Sequence, residues 1–137
     1  MSQRLAVQVM VAKKLLIVTA LVETATGLLM LVSPTPAVAF LLGASLDAPA
    51  ALIVGRIAGA ALLSLGVACW LARDDGLSLA LRGLIAAMLL YNCAAAAVLA
   101  HAGAVVGFVG VLLWPAFALH AALAVWCIVC LRTRRPA

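Results

Sequence analysis

Residues 51–72 read ALIVGRIAGAALLSLGVACWLA. One charge, Arg56, stands among apolar and small residues. As a helix rising 1.5 Å per residue the stretch is about 33 Å long, enough to cross a hydrocarbon layer of about 30 Å. Lipid offers the backbone no hydrogen bonds, so a crossing segment must be helical unless it closes a barrel. The short segments of alternating polarity that mark barrel strands do not occur here.

Working outward, three more stretches have the same character: about 15–32, 83–100 and 105–131. The chain has 137 residues, 69% of them apolar and 9% charged. Soluble domains are about half apolar and a quarter charged, and a chain this short has too little interior to hide such an excess. The expectation is a single integral membrane domain over residues 1–137. Its fold class is all-α, an antiparallel bundle of four transmembrane helices.

The net charge is +5, but its distribution points to a bilayer and away from nucleic acid. Eight of nine basic residues flank the apolar runs, with no basic patch interleaved with aromatics. Arg4, Lys13 and Lys14 precede the first run, Arg73 and Arg82 bracket the link between the second and third, and Arg132, Arg134 and Arg135 follow the fourth. Residues 33–50 and 101–104 contain no Lys or Arg. Cationic flanks stay in the cytoplasm, so both termini are expected inside a bacterial inner membrane. A secretory signal competes for the N-terminus, with Lys13-Lys14, an apolar run and then Ala37-Val38-Ala39. The length of that run and Glu23 at its centre count against cleavage.

Ser33-Pro34-Thr35-Pro36 stops the first span, because proline cannot continue a helix. Residues 37–42 are too few to cross and predict a short outer interfacial helix. The turn Arg73-Asp74-Asp75-Gly76 predicts that spans two and three are antiparallel neighbours. Gly55 and Gly59 form a GxxxG pattern, suited to close packing inside the bundle or to a dimer face. Pro115 inside the fourth span predicts a kink, with a freed carbonyl near Val111.

Each span carries one strongly polar residue: Glu23, Arg56, Asn92 (beside Tyr91) and His120. An ionisable group in a bilayer costs at least ~2.5 kcal/mol and is a functional candidate by default. Glu23 and Arg56 differ in depth by roughly 5–10 Å on helical rise, a gap that a long Arg side chain can narrow, so an ion pair is expected. Thr19, Thr26 and Gly27 share the Glu23 face at helical spacing. The five residues Glu23, Arg56, Tyr91, Asn92 and His120 predict either a hydrogen-bonded plug that fixes helix register or an intramembrane site for a small molecule.

His101 and His120 lie too far apart along one helix to clamp a haem together. Cys127 and Cys130 form a C-x-x-C one turn apart, with Cys69 expected at similar depth. Cys69, Cys127 and Cys130 are weak candidates for a soft metal, against the plainer reading of cysteine as a small apolar residue. No nucleophile elbow, phosphate loop or zinc-protease motif occurs, so a non-enzymatic role leads.

The stretch from Gly27-Leu28-Leu29-Met30 through Ser33-Pro34 and Leu42-Gly43 to Gly55-Arg56-Ile57-Ala58-Gly59-Ala60-Ala61-Leu62-Leu63-Ser64-Leu65-Gly66 resembles the DoxX-like group of small four-helix bacterial membrane proteins. The resemblance covers the first two spans and their connection. It implies a four-helix bundle, in some members an accessory membrane subunit of an oxidoreductase working with quinone. Tyr91-Asn92 and Leu113-Trp114-Pro115 match no motif of that group. Three functions follow as expectations. The first is an accessory or oligomeric inner-membrane subunit with a polar intramembrane site. The others are a transporter or binder of a small lipophilic molecule, and a quinone- or haem-associated redox subunit. Partners implied are the lipid bilayer, a second copy or partner subunit, and a small lipophile. The residues name no cofactor.

Overall fold

The structure, a computed structural model, describes residues 3–76 and 78–132, without the Arg4 side chain. Arg134 and Arg135 lie outside the described residues. The described residues form five α-helices and no strand: α1 Gln3–Val32, α2 Pro34–Leu42, α3 Pro49–Ala72, α4 Leu79–His101 and α5 Leu113–Arg132. Four of them are long and apolar enough to cross a membrane, α4 together with the π-helical turn Ala102–Val106 that continues it. Large apolar side chains such as Ile53, Val54, Ile57, Leu71, Leu90 and Val125 point outward. A soluble monomer rarely shows so much apolar surface, and a multi-pass membrane protein requires it.

Local sequence sets the helix ends. Ser33 leaves helical geometry at φ −139°, and Pro34 and Pro36 then open α2, where a missing N–H costs nothing. Gly43 closes α2 in the left-handed region at φ 74°, its N–H donating to the Ala39 carbonyl at 2.8 Å. Ser78 caps α4 by accepting from the Leu81 N–H at 3.0 Å. The short helix expected after the first span is therefore present, three residues longer than residues 37–42.

Three expectations need correction. The first helix starts at Gln3, well before residue 15, because nothing between Gln3 and Lys14 breaks it. The fourth long helix starts at Leu113, not near 105. Gly107 ends the π turn at φ 83°, and residues 107–112 then cross the end of α2, where the Leu112 N–H donates to the Phe40 carbonyl at 3.0 Å. Gly110 lies so close to the Leu41 backbone that no Cβ would fit. Hydropathy alone ran this loop and the helix together. Pro115 consequently falls in the first turn of α5, where it starts a helix and kinks nothing. Val111 precedes α5, so Pro115 takes no hydrogen bond out of the helix there.

The helices pack as two close pairs, α1 with α3 and α4 with α5, joined chiefly between α1 and α5. Spans two and three, α3 and α4, are not a close pair despite their short link. Lys13 draws that link towards α1 through a 2.5 Å ion pair with Asp74. The GxxxG of α3 is spent inside the chain. A Cβ on Gly59 would sit 2.6 Å from the Leu31 nitrogen, and one on Gly27 would sit 2.5 Å from that of Leu63. Gly55 faces Pro34 and Met30, and Gly66 faces Thr24. The buried core where the helices meet includes Leu15, Leu16, Cys69, Ile85, Met88, Leu123 and Cys127.

Candidate functional site

The polar centre begins on α1. Thr19 and Glu23 stand one turn apart on the face turned into the bundle, each 1% exposed. Gly27 is buried on the same side, whereas Thr26, expected with them, is exposed. From α4, the Tyr91 hydroxyl donates to Glu23 Oε2 at 3.3 Å. Its neighbour Asn92 is fully buried.

Asn92 fixes its own orientation and that of a histidine. Its Nδ2 donates to the Met88 carbonyl one turn back at 2.8 Å. A carbonyl only accepts, so the other amide atom is the oxygen. That Oδ1 lies 2.8 Å from His120 Nδ1 on α5. His120 therefore carries hydrogen on Nδ1 and, when neutral, leaves Nε2 as an acceptor. The His120 ring also meets Tyr91 edge-on, with centroids 5.5 Å apart and planes at 85°. Three helices thus converge on one chain of contacts: Glu23, Tyr91, His120, Asn92 and the Met88 carbonyl.

Two atoms in this centre have no partner, Glu23 Oε1 and Thr19 Oγ1. Most buried polar atoms are paired, and an unpaired one invites an explanation such as a guest group. Thr19 is a member that the sequence reading placed on the stripe but not in the site; its spacing from Glu23 was the signal.

Four of the five predicted residues are brought together: Glu23, Tyr91, Asn92 and His120. Arg56 is not. It is exposed on α3, and the ion pairs among the described residues are Lys13–Asp74 and Arg73–Asp74. The expected Glu23–Arg56 pair fails on register. Gly66 lies against Thr24 and Ala20, so the level of Glu23 on α3 is near residue 66. Arg56 is ten residues away, about 15 Å along the helix.

Cys69, Cys127 and Cys130 meet in one core cluster, but as packed side chains and not as a ligand set. Cys69 and Cys127 are buried in the core, Cys130 is half-buried and Cys93 is exposed. Among the described residues no group of three His, Cys, Asp or Glu side chains could hold a metal. His101 is exposed at the end of α4, remote from His120.

The centre offers a carboxyl without a counter-cation, a phenol, an imidazole and a free hydroxyl. Such a set can hold or pass a proton and can bind one hydrogen-bonding group. Comparisons with protein-family models, with curated proteins and with solved structures find no match for this chain.

Proposed function

We propose that this chain is a small multi-pass protein of the bacterial inner membrane, an antiparallel four-helix bundle with both ends in the cytoplasm. In this reading it serves as an accessory or oligomeric subunit. Its functional centre is the intramembrane site of Glu23, Tyr91, Asn92 and His120, joined by Thr19. The site takes up one proton or one small hydrogen-bonding group beside Glu23. A single observation carries this: Glu23 is 1% exposed with no cation partner among the described residues, and one of its carboxyl oxygens and the Thr19 hydroxyl one turn away have no hydrogen-bond partner. A plug selected only to lock helix register would be expected to satisfy every member, because a half-satisfied buried network is costly. The positive flanks support the orientation. The likeness to the DoxX-like group in the first two spans supports the accessory role.

Infrared spectroscopy of the reconstituted protein tests the site. The Glu23 carboxyl band is assigned by its loss in Glu23→Gln. It is expected to shift on transfer to deuterated water and again in Tyr91→Phe. A band that never exchanges in the folded protein means a sealed structural plug and refutes the reading. Native mass spectrometry of the gently extracted protein tests the subunit role. A second copy or a partner chain is expected, and a bare monomer under every gentle extraction overturns it.

A further inference from the structure

We infer that the outward face between α1 and α3 is a binding site for an anionic phospholipid, with one acyl chain in a groove and its phosphate held by Lys14 and Arg73. The inference rests on membrane embedding alone and not on the polar centre.

The groove has a volume of about 520 Å³. Small residues make its floor, with Ala20, Thr24 and Ala25 on α1, while Leu21, Leu28 and Trp70 rise beside them. It is almost wholly apolar and open to the side, which suits a hydrocarbon chain.

What commits the groove to one occupant is charge at one of its ends. On α1, Leu28, Ala25, Leu21 and Lys14 share one stripe at helical spacing, so Lys14 lies at the end of the groove wall. Lys14 is exposed and pairs with no carboxylate among the described residues. Side chains on a helix lean towards its N-terminus, which carries the Lys14 ammonium from the apolar groove towards the headgroup layer. Just past the end of α3, the Arg73 guanidinium lies 4.1 Å over the Trp70 ring and also donates to the Trp70 carbonyl. These contacts hold it at the mouth next to the aromatic wall. Asp74 draws charge from Lys13 and Arg73, so of these three neighbouring cations Lys14 is the one with no carboxylate partner among the described residues. Tryptophan with a basic residue at a span end is the usual furniture of the headgroup boundary.

A partner helix fits less well. Helices in lipid seat on small-residue stripes; that of α3, Gly55, Gly59 and Gly66, is already filled by α1 and the start of α2, and the small floor on α1 lies between the larger Leu21, Leu28 and Trp70. A second copy would bring its own Lys14 and Arg73 against this end and meet like charge.

The test uses the full chain with Trp114→Phe and Trp126→Phe, leaving Trp70 as the reporter, in vesicles that mix unlabelled lipid with brominated-chain phosphatidylglycerol or brominated-chain phosphatidylcholine. Stronger quenching of Trp70 by the anionic lipid at equal mole fraction is expected. Lys14→Gln should weaken that preference about fivefold, and Lys14→Gln with Arg73→Gln should abolish it. Ala25→Leu, on the exposed floor, should reduce quenching by filling the groove while leaving helicity unchanged. Equal quenching by the two lipids means ordinary bilayer contact and overturns the proposal. So does a preference that survives the double substitution, or a change of oligomeric state in Ala25→Leu, which would make the face a contact between copies. The infrared behaviour of Glu23 is expected to stay unchanged in all these variants.

Discussion

Replacing Gly59 with alanine tests the central packing claim, that α1 and α3 touch backbone to backbone. A Cβ at this position would lie 2.6 Å from the Leu31 nitrogen, 2.8 Å from the Gly27 oxygen and 2.9 Å from the Met30 carbonyl carbon. All three are main-chain atoms, so no rotamer can yield. Reaching ordinary contact at 3.4 Å requires the helices to part by about 0.8 Å. Forcing an extra methyl into a filled interface costs ~1–3 kcal/mol, while alanine in a helix regains ~1 kcal/mol over glycine. Gly83→Ala supplies the control, because it makes the same backbone change on α4 with nothing within 4 Å of the new Cβ. The two variants should therefore differ by ~1–3 kcal/mol, Gly59→Ala being the less stable. Gly27→Ala opens the same gap from the other side, so combining it with Gly59→Ala should cost less than the sum. The assay is reversible unfolding in bicelles by steric trapping, read against wild type. Equal stability of Gly59→Ala and Gly83→Ala refutes close backbone contact, and strict additivity of the Gly27 and Gly59 changes refutes a shared gap.

Asn92→Ala should destabilise the fold by ~1–3 kcal/mol, because it strands the His120 Nδ1–H. A double-mutant cycle of Asn92→Ala with His120→Ala should return a coupling of ~0.6 kcal/mol and at most ~1.7; a coupling of zero denies the 2.8 Å contact. Outside the spans, the hydrogen bond from Lys13, followed by the charges of Lys13 and Arg73, holds the Asp74 carboxyl below its ordinary range. A carboxylate with a lowered folded pKa adds stability above the ordinary aspartate range, and that stability is lost as pH falls through the lowered value. Both partners are about half exposed, so the effect should be small and salt-sensitive. Carbon-13 titration of Asp74 should show its midpoint rising towards the ordinary value in Lys13→Met, and an unmoved midpoint contradicts the tie.

Most of the fold was legible because the bilayer as solvent leaves few options. An apolar run with one charge, as in residues 51–72, must be a helix, and α3 begins at Pro49 and ends at Ala72 within two residues of that reading. The short helix α2 was legible because prolines can only open it and Gly43 can close it. The start of α5 was not. Residues 105–112 are as greasy as the helix that follows, and hydropathy carries no information about where the backbone bends. Gly107, Gly110 and Pro115 held the answer as a set: a left-handed stop, a close approach to Leu41, and a proline that belongs in a first turn. Pairing of α1 with α3 was likewise written in the glycines. The short turn at residues 73–76 suggested α3 beside α4 instead, yet a short link limits distance between helix ends and does not require packing along their length.

The polar centre shows where depth counting from helix ends breaks down. Measured inward from the ends of the apolar runs, Glu23 and Arg56 differ in depth by roughly 5–10 Å, a gap that the Arg side chain could narrow. That count assumes that Val32 and Ala51 lie at one height. The glycine contacts set a different register, with Gly55 against Pro34 and Gly66 against Thr24, so α3 reaches the height of Glu23 only a full ten residues beyond Arg56. The consequence for function is direct. With Arg56 turned outward, the Glu23 carboxyl has the Tyr91 hydroxyl as its hydrogen-bond partner among the described residues. An ion pair would have made the centre a closed strut. Without one, a buried carboxyl with the Tyr91 hydroxyl as its partner is what the proposed site rests on.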